Sequence, residues 1–273
     1  MLNNKPDDPA QSIHPASPDH VLRLCTSICK TENDDLDGRE ALFAELDPIL
    51  DTASDEIIES VLASSTFQAM KDTVHAIRAA YEYEREMELA NDIIVQHNAK
   101  VAEAFRSHDW YDTALDFETK ALAPFKRKRI LFVGSGPFPT SPMAFLRNNP
   151  GAKVTCMERY DDACEKARAV ADIFGLPELE IINSDGAEVR DFSAFDCVIV
   201  GLVVGAVDSH KATIVEHFLT HVPDDALLCF RSADGSGQVI YPSVDPKDLV
   251  DVPHTILEGP PHKSFTMIIV DRK

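Results

Sequence analysis

Two glycines and two acids in the second half of the chain carry the spacing of a ligand site. Gly134 and Gly136 end the apolar run Ile130 to Val133. Without Cβ atoms, the backbone there can bend tightly beside a nucleotide-like ligand. Phe138 and Pro139 stand where the third glycine of G-x-G-x-x-G belongs, so the turn departs from the ordinary dinucleotide fingerprint. Twenty-two residues after Gly136, the run Lys153 to Glu158 reads as a second strand ending in an acid. A carboxylate at a strand's carboxyl end can accept hydrogen bonds from both hydroxyls of a ribose. Asp185, in Asn-Ser-Asp-Gly behind a third apolar run, is placed to read an adenine amino group. Each residue also has a plain structural reading: a tight turn, a solvated strand end and a turn-forming Asp.

A second cluster lies in the first half. Tyr81 to Glu88, Tyr-Glu-Tyr-Glu-Arg-Glu-Met-Glu, packs four acids and two tyrosines into about two helical turns. On a helix, Glu82, Arg85, Glu86 and Leu89 share one face, and Tyr81, Glu84 and Glu88 another, so at least one acid faces inward. His108-Asp-Trp-Tyr111-Asp112 puts the single Trp beside a Tyr just ahead of a further helix. Lining a small-molecule pocket, such groups would supply a carboxylate base and a phenol to orient an amine. The competing reading is a charged solvent face and two core aromatics.

These residues need elements to hold them. Apolar runs at 130–133, 153–158, 179–182 and 195–200 alternate with helical segments at 160–174 and 209–221. Bulky residues on consecutive strand positions indicate a parallel sheet covered on both faces, an α/β Rossmann-like fold. Residues 21–125 read as helical, with helices at 37–46, 54–63 and 67–106. The basic stretch Pro124-Phe-Lys-Arg-Lys-Arg129 marks the change of character. The expected organisation is a disordered polar leader at 1–20, a helical N-terminal domain at 21–125 and a Rossmann-like domain at 126–273.

Composition narrows the function. A formal charge of −20 over 273 residues repels phosphate backbones, which argues against nucleic acid as the main partner. No long hydrophobic segment or secretory signal is present, so the expectation is a cytoplasmic protein without a membrane partner. Six scattered cysteines indicate reduced thiols; Cys25 and Cys29, four apart with no second pair, read as core packing rather than a zinc site. His210, His217 and His221 read as a helix surface, and no metal site is expected. A homodimer is the default for a compact enzyme of this kind.

In their order, these motifs resemble nicotianamine synthase and its bacterial relatives, the synthases of opine-type metallophores such as staphylopine and pseudopaline. The resemblance covers roughly 65–270 and is carried by Gly134-Ser-Gly-Pro-Phe-Pro139, Glu158, Asp185 in Ser-Asp-Gly, and Cys229-Phe-Arg231 followed by Ile240-Tyr241-Pro242. It implies that Gly134, Ser135, Gly136, Pro137, Glu158 and Asp185 bind S-adenosylmethionine. It also implies that Tyr111, with Glu118 downstream, is the catalytic tyrosine and that Glu86, in Glu86-Met-Glu88, is the catalytic glutamate. The glutamate match needs a one-residue gap, so Glu84 and Glu82 stay open. Arg231 and Tyr241 would contact substrate, Arg231 by anchoring a carboxylate unless it forms a structural ion pair.

The activity implied is transfer of the aminobutyrate group of S-adenosylmethionine to an amine, releasing methylthioadenosine, in making a metal chelator. The length, the acidity and the lack of plant-like extensions incline the reading to the bacterial type, with one transfer onto histidine; the plant type repeats the transfer and cyclises. An ordinary methyltransferase or a noncatalytic sensor would share Gly134, Gly136, Glu158 and Asp185. The helical acids and Tyr111 separate them.

Overall fold

The computed structural model describes residues 16–32, 35–101, 109–206, 208–259 and 265–272, with the side chains at 109–112 and 208–210 outside that description. Four helices come first: α1 Pro18–Ile28, α2 Leu36–Thr52, α3 Asp55–Ala63 and α4 Ser65–Gln96. Ser17 caps α1 by accepting from the His20 N–H, so helix begins within the stretch expected to be a leader. Helix α2 runs past Pro48, although proline removes a backbone bond and disfavours a helix interior. Leu46 and Leu50 on either side are buried in the helical core, and that packing outweighs the lost bond.

Helix α4 was expected to continue to residue 106, because apolar residues keep recurring. It ends instead at Gln96, where His97 turns left-handed (φ 46°) and the Asn98 N–H returns to the Ile93 carbonyl. After α5 (Asp109–Leu122) come β1 Arg129–Val133, α6 Thr140–Asn148, β2 Lys153–Glu158, α7 Asp161–Ile173, β3 Glu180–Asn183, β4 Cys197–Val200, α8 Asp208–His221, β5 Leu227–Ala233, β6 His254–Glu258 and β7 Phe265–Val270.

The strands form one seven-stranded sheet in the order β3-β2-β1-β4-β5-β7-β6. β1 to β5 pair in parallel, and β7 lies antiparallel between β5 and β6. This is the expected α/β Rossmann-type fold with helices ahead of it. Strand alternation divides the core: Ile130 and Phe132 face one layer of helices, Leu131 and Val133 the other. A third core sits among α1 to α4 and takes in Val239 and Ile240 from the 3₁₀ segment Gly235–Val239 after β5.

Helix α4 belongs to two of these cores. Phe67 and Val74 pack among the helices, while Ala90 and Ile93 pack on the sheet beside Phe132 and Phe138. The polar turns between, residues 78–88, are thereby carried across the carboxyl end of β1. All six cysteines are free thiols, five of them buried, and burial pushes Cys25 up to about 12. Among the described residues no helix is long and apolar enough to cross a membrane.

Candidate active site

The site begins where β1 ends. The Gly134 N–H bonds the Met157 carbonyl at 2.8 Å, and the chain then turns through left-handed Gly134 (φ 72°) and Gly136 (φ 68°). A side chain would be strained at either position. A Cβ at Gly134 would overlap Val204 Cγ2, and one at Gly136 would overlap Glu86 Oε2. Behind the turn, Pro137, Phe138 and Pro139 are buried and lead into α6.

Glu158 closes the other side of the turn. Its carboxylate, 6 % exposed, accepts from the Gly136 N–H at 3.1 Å and from the Arg159 and Tyr160 N–H groups at 2.8 and 3.2 Å. The expected ribose acid is thus tied to the expected glycine turn, and its oxygens retain lone pairs for hydroxyl donors. Asp185 is half-buried at the β3 end and folds onto the Ala187 N–H at 2.9 Å. Gly186 beside it packs against Val133 and Phe218 with no room for a Cβ.

The acids of α4 point in different directions. Glu84 pairs with buried Arg39 of α2 at 3.7 Å, and exposed Glu88 pairs with Arg85 at 2.7 Å. Glu82 accepts from Arg78 Nε at 2.9 Å and from the Tyr241 hydroxyl. Glu86 alone of the four lies on Gly136. Burial, with Glu82 and Glu158 nearby, raises its carboxyl well above the ordinary 4.5; Arg231 pulls the other way. A carboxyl held in this way binds its proton more tightly than an exposed one, the property asked of a group that must take up a proton.

Arg231, on β5, is held by a carboxylate of this chain: its Nη2 donates to Glu118 Oε2 at 2.7 Å, and its Nε lies 2.6 Å from Oε1. Glu118 is buried on α5, so the structural ion pair left open above is formed. Tyr241 is likewise engaged. Its hydroxyl donates to Glu82 and accepts from Arg78, while Arg78 Nη1 grips Asp47 at 3.0 and 3.1 Å. Burial and Glu82 hold the phenol well above its ordinary value, so it keeps its proton. Tyr111 lies in the first turn of α5, two turns before Glu118, with its side chain outside the described part.

Several residues here carried no usable signal in the sequence. Arg78 and Tyr241 are 163 positions apart. Lys211, on α8, is fully buried with its ammonium on three backbone carbonyls, where a lysine read from sequence would be placed in solvent. Of the expected helix-surface histidines, His217 and His221 stack at 4.4 Å with Arg190 against His217, and the side chain of His210 lies outside the description. Among the described residues no three His, Cys, Asp or Glu groups converge as metal ligands.

The family model for nicotianamine synthase protein matches residues 18–273. The chain belongs to the nicotianamine synthase family. Nicotianamine synthase of Solanum lycopersicum is 28% identical over 152 residues, 54% of this chain and 47% of that protein. Nicotianamine synthase 1 of Oryza sativa subsp. indica is 33% identical over 126 residues, 44% and 38% of the respective lengths. The chain spans less than half the length of these plant members of the family. Among solved structures, MtNAS in complex with MTA and tNA superposes with a TM-score of 0.76 at 20% identity, over 93% of this chain and 97% of that one. The nicotianamine synthase fold therefore extends through both the helices and the sheet described above.

Proposed function

We propose that this chain transfers the aminobutyrate group of S-adenosylmethionine to an amine and releases methylthioadenosine. The observation that carries the reading is Glu86, a carboxyl from the helical part lying directly on Gly136 of the strand-end turn. A methyltransferase or a sensor would share the turn, Glu158 and Asp185; the helical acid on the turn, together with Tyr111, is what favours aminobutyrate transfer over them. On this reading Gly134, Ser135, Gly136 and Pro137 form the floor for the donor, Glu158 takes its ribose and Asp185 its adenine.

The chemistry requires little beyond positioning and one proton. The amine nitrogen bonds to the methionine-side carbon of the sulfonium, and the bond from that carbon to sulfur breaks with its electron pair passing to sulfur, leaving methylthioadenosine. Glu86 accepts the proton that the nitrogen sheds. A bound sulfonium cation counters the nearby acids, favouring the ionised form of Glu86 that can do so. Tyr111, on the helix that holds Arg231 through Glu118, orients the incoming amine. Tyr241 and Arg231 frame the substrate side from fixed positions.

Two acceptors fit this scheme. Histidine, accepting once, gives the opine-metallophore reading expected from the motifs. S-adenosylmethionine itself, used repeatedly, gives nicotianamine, and the names of the plant relatives favour it. Mass spectrometry of purified protein with S-adenosylmethionine and L-histidine, D-histidine or no added amine distinguishes them. Methylthioadenosine with a histidine adduct supports the first, and nicotianamine without histidine the second. S-adenosylhomocysteine as the only product would sink the aminobutyrate reading.

A further inference from the structure

We propose that Lys211 is a positioning residue for the donor site, acting through the loop that joins β4 to α8. Its side chain is fully buried, and Nζ donates to the carbonyls of Gly201, Leu202 and Val204 at 3.2, 3.0 and 3.1 Å. An ammonium offers three hydrogens, and three carbonyls receive them. All three come from one irregular turn, in which the Val204 N–H reaches the Gly201 carbonyl at 3.3 Å. With the ammonium removed, those carbonyls would lose their shared partner and the turn would rearrange.

The turn lies on the donor site. The Gly201 N–H bonds the Val133 carbonyl at 3.0 Å, and the Gly201 Cα is so close that a Cβ would stand 3.1 and 3.2 Å from the carbonyls of Val133 and Gly134. Val204 Cγ2 fills the space above Gly134 that a side chain there would occupy. The chain of contact runs from ammonium to carbonyls to Val204 to Gly134. No charged group of a substrate is needed for it, which separates Lys211 from a binding cation. Burial and the Arg231 charge lower the lysine to about 7, so its third hydrogen is kept by the three carbonyls that receive it.

The inference rests on the reading of S-adenosylmethionine as donor. The test is calorimetric affinity for S-adenosylmethionine and methylthioadenosine, together with KM for S-adenosylmethionine and kcat for methylthioadenosine release, in Lys211→Met, Val204→Ala and the double variant. Lys211→Met is expected to raise both Kd and KM about tenfold with kcat within about threefold. Val204→Ala, a small truncation of a half-buried side chain, is expected to raise Kd about threefold without lowering Tm. The double variant should bind about as weakly as Lys211→Met alone, since both changes act at Gly134. Wild-type affinity in Lys211→Met, a fall in kcat without a rise in KM, or multiplicative losses in the double variant would overturn the proposal. Should Lys211→Met not fold, unchanged affinity in Val204→Ala overturns it equally. A wild-type protein that binds neither compound would instead sink the donor reading.

Discussion

Glu82 and Glu86 lie one turn apart on the same face of α4, yet their surroundings are built in opposite ways. At Glu82 the carboxylate is matched with a cation of its own: Arg78 donates to Glu82, and also to Asp47 and Tyr241, and Tyr241 donates back to Glu82. At Glu86 the neighbouring carboxylates are Glu82 and Glu158, and the cation within range, Arg231, is already held by Glu118. One turn of helix has its carboxylate fixed by partners, while the next has its own left among like charges, as the role proposed for Glu86 requires. Carboxylates of one type, on one helix, thus acquire different roles from their partners alone.

The largest effect should come from breaking the second of these turns chemically while leaving its shape. Glu86→Gln keeps size and removes the proton acceptor. Turnover, read as methylthioadenosine release, is expected to fall about 10²–10⁴-fold, with affinity for S-adenosylmethionine within about threefold. In the wild type the base must be ionised, so kcat/KM should rise with pH through a midpoint above 4.5, and that rise should vanish in the variant. Wild-type turnover in Glu86→Gln would return the role to Glu84 or Glu82.

Gly136→Ala attacks the same contact from the sheet side. A methyl there is strained at φ 68° and displaces the Glu86 carboxylate. Binding of S-adenosylmethionine should weaken about tenfold, because the turn relaxes when free and binding must restore the left-handed geometry at about 1–2 kcal/mol. Unchanged calorimetric affinity in a folded variant would remove Gly136 from the donor floor.

Tyr241→Phe tests the matched turn. Loss of a hydroxyl that both gives to Glu82 and receives from Arg78 should cost about 2 kcal/mol, or about 4–8 °C in Tm for a chain of this size. If Tyr241 belongs to the framework, KM stays within about twofold. A tenfold rise in KM at unchanged Tm would make it a substrate contact first.

The contrast also explains which parts of the molecule could be read in advance. Gly134, Gly136 and Glu158 are legible because the feature they form is local: strand, turn and strand end, with residue types dictated by backbone shape. That β1 to β4 belong to a parallel sheet followed from consecutive apolar positions and their alternation with helices. The stop of α4 at His97 was not legible, since apolar periodicity continues beyond it and a left-handed histidine leaves no mark in the pattern. Nor was the pairing of Arg78 with Tyr241 or the burial of Lys211, because the partners of a charge are set by tertiary contact and its sequence neighbours do not name them. That one acid of residues 82–88 must face inward followed from helical spacing; which one required the sheet to be in place.

The smallest expected effect draws the comparison into thermodynamics. A carboxyl whose pKa is raised on folding contributes stability that is fully present below its unfolded value near 4.5 and is lost as pH rises through the folded value. At neutral pH, then, Glu86 weakens the fold it serves. Glu86→Gln, the variant that should abolish turnover, should melt at about the wild-type temperature near pH 4 and roughly 2–4 °C higher at pH 8, the shift that about 1 kcal/mol produces in a protein of this size. The corresponding change at the matched turn, Glu82→Gln, removes a partner of Arg78 and Tyr241 and should lower Tm at pH 8 instead. Opposite signs from the same substitution one turn apart would locate the proton-exchanging group without an assay of activity. Equal signs would mean that the two carboxylates share one network, with the division drawn here in the wrong place.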